Sequence, residues 1–190
     1  LLDINAGTVT SGDWMHVNSV NYNPDLDQIV FSSHNLNEVY VIDHSTTTAE
    51  AASHSGGNSG KGGDFLYRWG NPANYKVTGT KYFDVVHCGS WIPAGLPGAG
   101  HILAFNNRQS SGQSIIAEII PPTNGSNYSW TPGTPYAPTS PTWTYTASGF
   151  FSNHLGGVQR LPNGNTLIAQ STSGKMLEVT TGGTTVWSYQ

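Results

Sequence analysis

Ionised side chains are scarce in this chain. Asp, Glu, Lys and Arg make up 9% of its 190 residues, against about 25% in an average globular protein, so Asn, Ser, Thr and Gly must keep the surface wet. The 7 Lys and Arg are scattered and the net charge is −4, which excludes the basic stripe that binds nucleic acid or an anionic membrane surface. Long apolar runs are missing too, since no stretch approaches the ~18 residues of a membrane-spanning helix. Cysteine is reduced to Cys88. That excludes an intrachain disulfide and the usual disulfide argument for an oxidising compartment.

Turn formers and aromatic residues are plentiful instead, with 23 Gly and 11 Pro punctuating short strand-like segments. Phe65-Leu-Tyr67-Arg-Trp69, Pro141-Thr-Trp143-Thr-Tyr145 and Thr185-Val-Trp187-Ser-Tyr189 share one aromatic signature, and each closes a run of three earlier strand-like segments. A four-strand unit repeated in this way is the mark of β-propeller blades. The expected fold is all-β: a partial β-propeller of three four-stranded blades at about 14–70, 82–147 and 150–190, half of a six-bladed ring. The first blade's expected strands are His16–Tyr22, Gln28–Ser33, Glu38–Asp43 and Asp64–Gly70. Those of the second are Val85–Trp91, His101–Asn106, Ser114–Ile120 and Thr142–Thr146. Those of the third are Val158–Leu161, Thr166–Gln170, Lys175–Val179 and Thr185–Tyr189, with Asn163-Gly164 favouring a tight hairpin. Open sheet edges at both ends of such a half-ring predict a partner, either the remaining blades or a second copy of the chain.

The third connection within each unit is long in the first two and short in the last (Thr180 to Thr184), and long loops in compact domains usually carry function or assembly contacts. One helical turn is expected at Thr46–Ala52. The following Gly56-Gly-Asn-Ser-Gly-Lys61-Gly-Gly63 imitates a phosphate loop, but its spacing is one residue short, no Ser or Thr follows Lys61, and it feeds a strand rather than a helix. It reads as a flexible connection. In the other long loop, Pro121 to Pro141, Asn124-Gly-Ser126 and Asn127-Tyr-Ser129 are N-glycosylation sequons. The chain begins at Leu1 rather than Met, which reads as a processed or truncated product.

Hairpin geometry sorts the 7 histidines. With the first turn centred on Asp25, His16 stands opposite His34. Aligning the repeats places His16, His87 and Gly156 at one point on three successive inner strands, whose starts line the mouth of a propeller's central channel. His16, His34 and His87 are therefore expected to meet in one polar pocket. His44, His54, His101 and His154 read as solvated or hydrogen-bonded surface residues. Converging imidazoles are also what zinc needs, but no short-spaced ligand pair or carboxylate accompanies them, and no metal site is assigned.

Longer motifs carry a resemblance. They are Asp13-Trp-Met-His16-Val-Asn18, Leu26-Asp-Gln-Ile-Val-Phe-Ser32-Ser33-His34, Gly60-Lys-Gly-Gly-Asp64-Phe-Leu-Tyr-Arg-Trp-Gly-Asn-Pro72, Trp91-Ile-Pro-Ala-Gly-Leu-Pro-Gly-Ala-Gly100 and Gln159-Arg-Leu-Pro-Asn-Gly-Asn-Thr-Leu-Ile168. Together they span nearly the whole chain and resemble the bacterial arylsulfotransferase family, here its C-terminal three blades. The resemblance implies a six-bladed enzyme, exported to the periplasm or beyond, that moves a sulfuryl group from an aryl sulfate to a phenol through a sulfohistidine, with no cofactor. By the same resemblance His87 is the nucleophile, His16 the assisting histidine, His34 a supporting residue, and Asn18 part of the pocket floor. Asn107 is assigned with Asn18 to substrate binding.

Several positions depart from the family pattern. His34 stands where many members have Arg, which replaces a permanent charge with a pH-dependent one. Cys88 and Gly89 follow the nucleophile where a small or acidic residue is usual, and a further family histidine belongs to a blade before Leu1. The alternative reading is a non-catalytic extracellular propeller, serving as a structural, fibre-forming or glycan-contacting module. Low charge, two sequons and the Pro-rich loop favour it.

Overall fold

The computed structural model describes residues 2–7 and 12–190. The first sheet runs in chain order through β1 (Val17–Asn23), β2 (Gln28–Ser33), β3 (Glu38–Asp43) and β4 (Tyr67–Trp69), all antiparallel. The second comprises β5 (Val86–Trp91), β6 (Ile102–Asn106) and β7 (Ile115–Ile119). A small hairpin follows, β8 (Thr123–Asn124) with β9 (Asn127–Tyr128), before β10 (Trp143–Tyr145) completes the second sheet beside β7. The third is β11 (Gly157–Arg160), β12 (Thr166–Gln170), β13 (Lys175–Val179) and β14 (Thr185–Tyr189).

Local chemistry fixes these elements. Asn23 closes the first hairpin by accepting the amides of Asp25 (3.0 Å) and Leu26 (3.2 Å) on its side-chain oxygen. Asn163 does the same for Asn165 at 3.0 Å, and Gly164 supplies the positive φ of 86° at that turn. β2, β3, β12, β13 and β14 have the spans expected from the sequence, and the expected helical turn is α1 (Thr48–Ala51). Thr47 caps α1 in a reciprocal capping box with Glu50. The β8–β9 hairpin was not expected; it sits inside the stretch read as an irregular Pro/Ser/Thr loop.

Two apolar cores lie between the sheets. One joins Val30, Val39, Val41, Tyr67 and Trp69 to Val86, Trp91, Ile102 and Ile119; the other joins Leu103, Phe105 and Ile116 to Val158, Ile168 and Val179. β6 is buried along its whole length because a core covers each of its faces. First strands of successive sheets are neighbours: β5 packs on β1 and β2, and β11 on β5 and β6. Side chains of β1 tie directly to the β5 backbone, Asn18 Nδ2 donating to the Val86 carbonyl (2.8 Å) and Asn21 Oδ1 accepting from the Trp91 amide (3.0 Å).

Two buried arginines are paired with buried carboxylates, while the buried Asp43 is held by the amides and hydroxyls of Ser45 and Ser59. Arg68 and Glu38 form an ion pair inside the first sheet, and Tyr40 and Asn74 each donate to Glu38 at 2.7 Å. Arg160 of β11 reaches Glu118 of β7, so this pair crosses from the third sheet to the second, and His101 Nδ1 shares Glu118 at 2.6 Å. Buried pairs of this kind add little net stability, the more so for Arg160, whose Nε has no hydrogen-bond partner, but losing one member of a pair is costly.

Candidate functional site

β5 is not a regular strand. His87 pairs with Phe105 and Ser90 with Leu103, so a bulge of Cys88 and Gly89 interrupts the register directly after the histidine. Cys88 has a φ of 54°. β1 has a counterpart, because Val17 pairs with Ser33 and Ser19 with Ser32, leaving Asn18 extra. His16, immediately before β1, has a φ of 48°. These irregularities re-aim the histidines at the strand starts, whereas β11 keeps one register from Gly157 to Arg160.

The three sequence-selected histidines do meet. The His34 amide donates to the His16 carbonyl at 3.0 Å, and their ring centroids are 4.6 Å apart. The His34 and His87 rings lie edge to face at 5.5 Å. His16 is exposed, His34 half-buried and His87 buried. Asp13 holds His16 Nδ1 at 2.5 Å, and Asn35 Oδ1 holds His34 Nδ1 at 2.6 Å.

Asn107 fixes the state of His87. Its Nδ2 donates to the carbonyls of Ser152 (2.6 Å) and Leu155 (2.7 Å), groups that only accept, so the orientation of the amide is determined. Its Oδ1 must then accept from His87 Nδ1, 2.8 Å away. The proton of neutral His87 therefore sits on Nδ1 and the lone pair on Nε2. Asn107 is wholly buried, with its amide spent on protein groups, which places it behind the imidazole rather than at a substrate-facing surface. Asn18 is similarly engaged, donating to Val86 and accepting from Ser32 Oγ at 2.6 Å.

Burial lowers the His87 pKa, Asn107 partly offsets this, and the charges of His34, His16 and His154 lower it further. His154 thus acts on His87 only through its charge, its own ring bonding Asn153. The sequence reads His154 as a solvated or hydrogen-bonded surface residue and puts Gly156 at the position equivalent to His16 and His87. Gly156 has a φ of 126°, and a Cβ there would come within 2.6 Å of the Phe105 ring, so no histidine fits that point. The exposed His154 lies in the loop that Asn107 pins at Ser152 and Leu155.

The other histidines have local partners: His44 bonds Asp27 (2.7 Å), His54 bonds Asp64 (2.9 Å), and His101 bonds Glu118. Among the described residues no group of three or more His, Cys, Asp or Glu is arranged to hold a metal ion. The two sequons differ. Asn124 is exposed on the β8–β9 hairpin, whereas Asn127 uses its Nδ2 to bond the Ser59 carbonyl at 3.0 Å and has its Oδ1 buried, so the nitrogen a glycan needs is occupied.

Repeated antiparallel four-stranded sheets, with imidazoles gathered at the irregular starts of two inner strands, define an all-β protein with a histidine-rich site between sheets. The family model described as Arylsulfotransferase (ASST) matches residues 2–187. The chain belongs to that family. No curated protein matches it. Among solved structures it is similar to a protein of unknown function from Bacteroides caccae, at 15% identity and a TM-score of 0.52, over 92% of this chain and 45% of that one. Hydrazine synthase from Kuenenia stuttgartiensis matches at 12% identity and a TM-score of 0.46, over 96% of this chain and 38% of that one. A catalytically inactive virginiamycin B lyase from Staphylococcus aureus, solved with quinupristin, matches at 11% and 0.39, over 96% and 43%. The chain spans less than half the length of each of these structures. Among the described residues no helix is long and apolar enough to cross a membrane.

Proposed function

We propose that the chain carries the nucleophile side of a sulfuryl-transfer site. The observation that carries this reading is the state of His87: buried, biased toward the neutral form, and held by Asn107 as the Nδ1–H tautomer. In the first half-reaction Nε2 attacks the sulfur of an aryl sulfate; an N–S bond forms, the S–O bond to the aryl group breaks, and the aryl oxide takes a proton from a neighbouring imidazolium. In the second half a phenol attacks the sulfur, the N–S bond breaks, and the phenolic proton returns to that imidazole. His16 and His34 supply the donors for the sulfuryl oxygens and the proton that shuttles. On this reading the three sheets are three blades of a six-bladed ring, and the protein works outside the cytoplasm with Asn124 as its glycan acceptor.

The test is incubation of the native full-length protein with an aryl sulfate and no acceptor. An acid-labile sulfuryl increment on the peptide containing His87 is expected, absent in His87→Ala. An increment on another residue, or none, sinks the assignment.

A second reading, the non-catalytic module, is favoured by β14. It is exposed at every residue, with Trp187 and Tyr189 stacked nearly parallel (6.4 Å, 10°), an aromatic ladder suited to fibre contacts or to a second copy. Sulfuryl labelling of His87 separates the two.

A further inference from the structure

The long loops of the first two sheets build a cleft that the histidine site does not use. It has a volume of about 380 Å³ and is lined by His54, Lys61, Asp64, Phe65, Arg68, Tyr75, Trp130 and Tyr136, inside the roughly 300–1,000 Å³ range of small-molecule sites. Trp130, 41% exposed, lies parallel to Tyr136 at 4.9 Å and 4°, so one face of the indole is backed and the pair forms a flat platform. The platform is stiff. The indole N–H donates to the Thr134 carbonyl at 2.8 Å, and the Tyr136 amide donates to the Tyr75 hydroxyl at 3.2 Å. Tyr75 in turn carries the Arg68 guanidinium over its ring at 4.4 Å, and Arg68 is anchored by Glu38.

The polar groups stand at the margin. Asp64 holds His54 Nδ1 at 2.9 Å through Oδ1. Lys61 carries no ion pair among the described residues. A fixed aromatic plane edged by a carboxylate, an imidazole and an ammonium matches a ligand that is flat and apolar on one face and ringed by hydroxyls at its edge. A pyranose has that shape: its axial C–H groups face the aromatic ring while its equatorial hydroxyls bond the charged groups. An aromatic compound would use the platform and leave the charged edge unpaired.

We infer that this cleft is a carbohydrate-binding site, accepting one pyranose of an oligosaccharide on Trp130 with Asp64, His54 and Lys61 on its hydroxyls. It is independent of sulfuryl transfer at His87. Its location accounts for the length of the loops in the first two sheets: Lys61 and Asp64 come from one, Trp130 and Tyr136 from the other, and the third sheet, with its short connection, contributes nothing.

The test titrates the full chain with cellohexaose, xylohexaose, chitohexaose and mannohexaose, followed by tryptophan fluorescence and calorimetry. Saturable binding of at least one hexasaccharide is expected, weakened at least tenfold by Trp130→Ala and by Asp64→Asn and unchanged in His87→Asn. Trp130→Phe, which keeps a ring, should recover part of the loss and guards against misfolding of the alanine variant. Saturable binding of none of the four sugars, or binding indifferent to Trp130→Ala and Asp64→Asn, overturns the site. Tight binding of p-nitrophenol at Trp130 with no sugar binding also overturns it.

Discussion

β5 and β11 start from equivalent places in two neighbouring sheets and end as different things. β5 breaks its register after His87 and turns that residue toward other imidazoles; β11 runs regularly from Gly157, and the residue before it is a glycine that the Phe105 ring forbids to be anything larger. A bulge costs ladder hydrogen bonds but re-aims a side chain. A regular strand keeps its bonds and serves as packing. The loop leading into the third sheet still bears on His87, through the Ser152 and Leu155 carbonyls that orient Asn107.

The largest effect should fall on the bulged side. His87→Ala is expected to lower turnover by at least about 10⁴-fold, as removal of a covalent nucleophile does, with the fold retained by circular dichroism. Undiminished turnover would move the chemistry elsewhere. On the regular side, Gly156→Ala should destabilise the protein by about 3 kcal/mol or more in urea unfolding, because the positive φ and the 2.6 Å approach to Phe105 both oppose a Cβ; a neutral result would mean that the contrast between the strands is not steric.

Asn107→Ala joins the two sides. It takes one donor from the Ser152 carbonyl, which keeps Ser114 Oγ, removes the Asn107 donor from the Leu155 carbonyl and frees the His87 tautomer, so a loss of about 1–2 kcal/mol is expected. The ¹⁵N shifts of His87 should change from one tautomer to a mixture. Asn107→Asp is gentler and sharper. A carboxylate at Nδ1 favours the imidazolium, so the acid limb of turnover should move to higher pH, and an unmoved limb would remove Asn107 as the positioning group.

The smallest effect is on the pH dependence of stability. The His87 pKa is lower in the folded protein than in the unfolded chain, so the unfolded state binds more protons. Stability should therefore be full above the unfolded pKa of about 6.5 and decline as the pH falls toward the folded value. His87→Gln should flatten that part of the stability–pH curve.

Much of this was legible beforehand. Strands with strict turn signals, such as β2 and β12, were read to the residue because Asn23 and Asn163 fix their hairpins through their own side chains. Constant index sums found the His16–His34 pair, since a hairpin's register is a local property. Three things were hidden. The role of Asn107 depends on carbonyls some 45 residues away in the chain, which no spacing encodes. The effect of His154 on His87 is one of charge across space, and a surface histidine in a loop carries no spacing signal for it. Asn127 satisfies its sequon, yet tertiary structure has claimed its nitrogen.

The buried ion pairs have a consequence for the medium in which the protein can live. Of its 7 Lys and Arg, Arg68 and Arg160 are locked against Glu38 and Glu118 in the interior, where dissolved ions do not penetrate and screening over the Debye length of about 8 Å has little to act on. The surface that meets solvent is held in water by amides and hydroxyls, whose hydration does not depend on counterions. The attraction within these two buried pairs should change little with added salt, whereas the solvent-facing Lys76–Asp3 and Lys81–Asp84 pairs are screened by it.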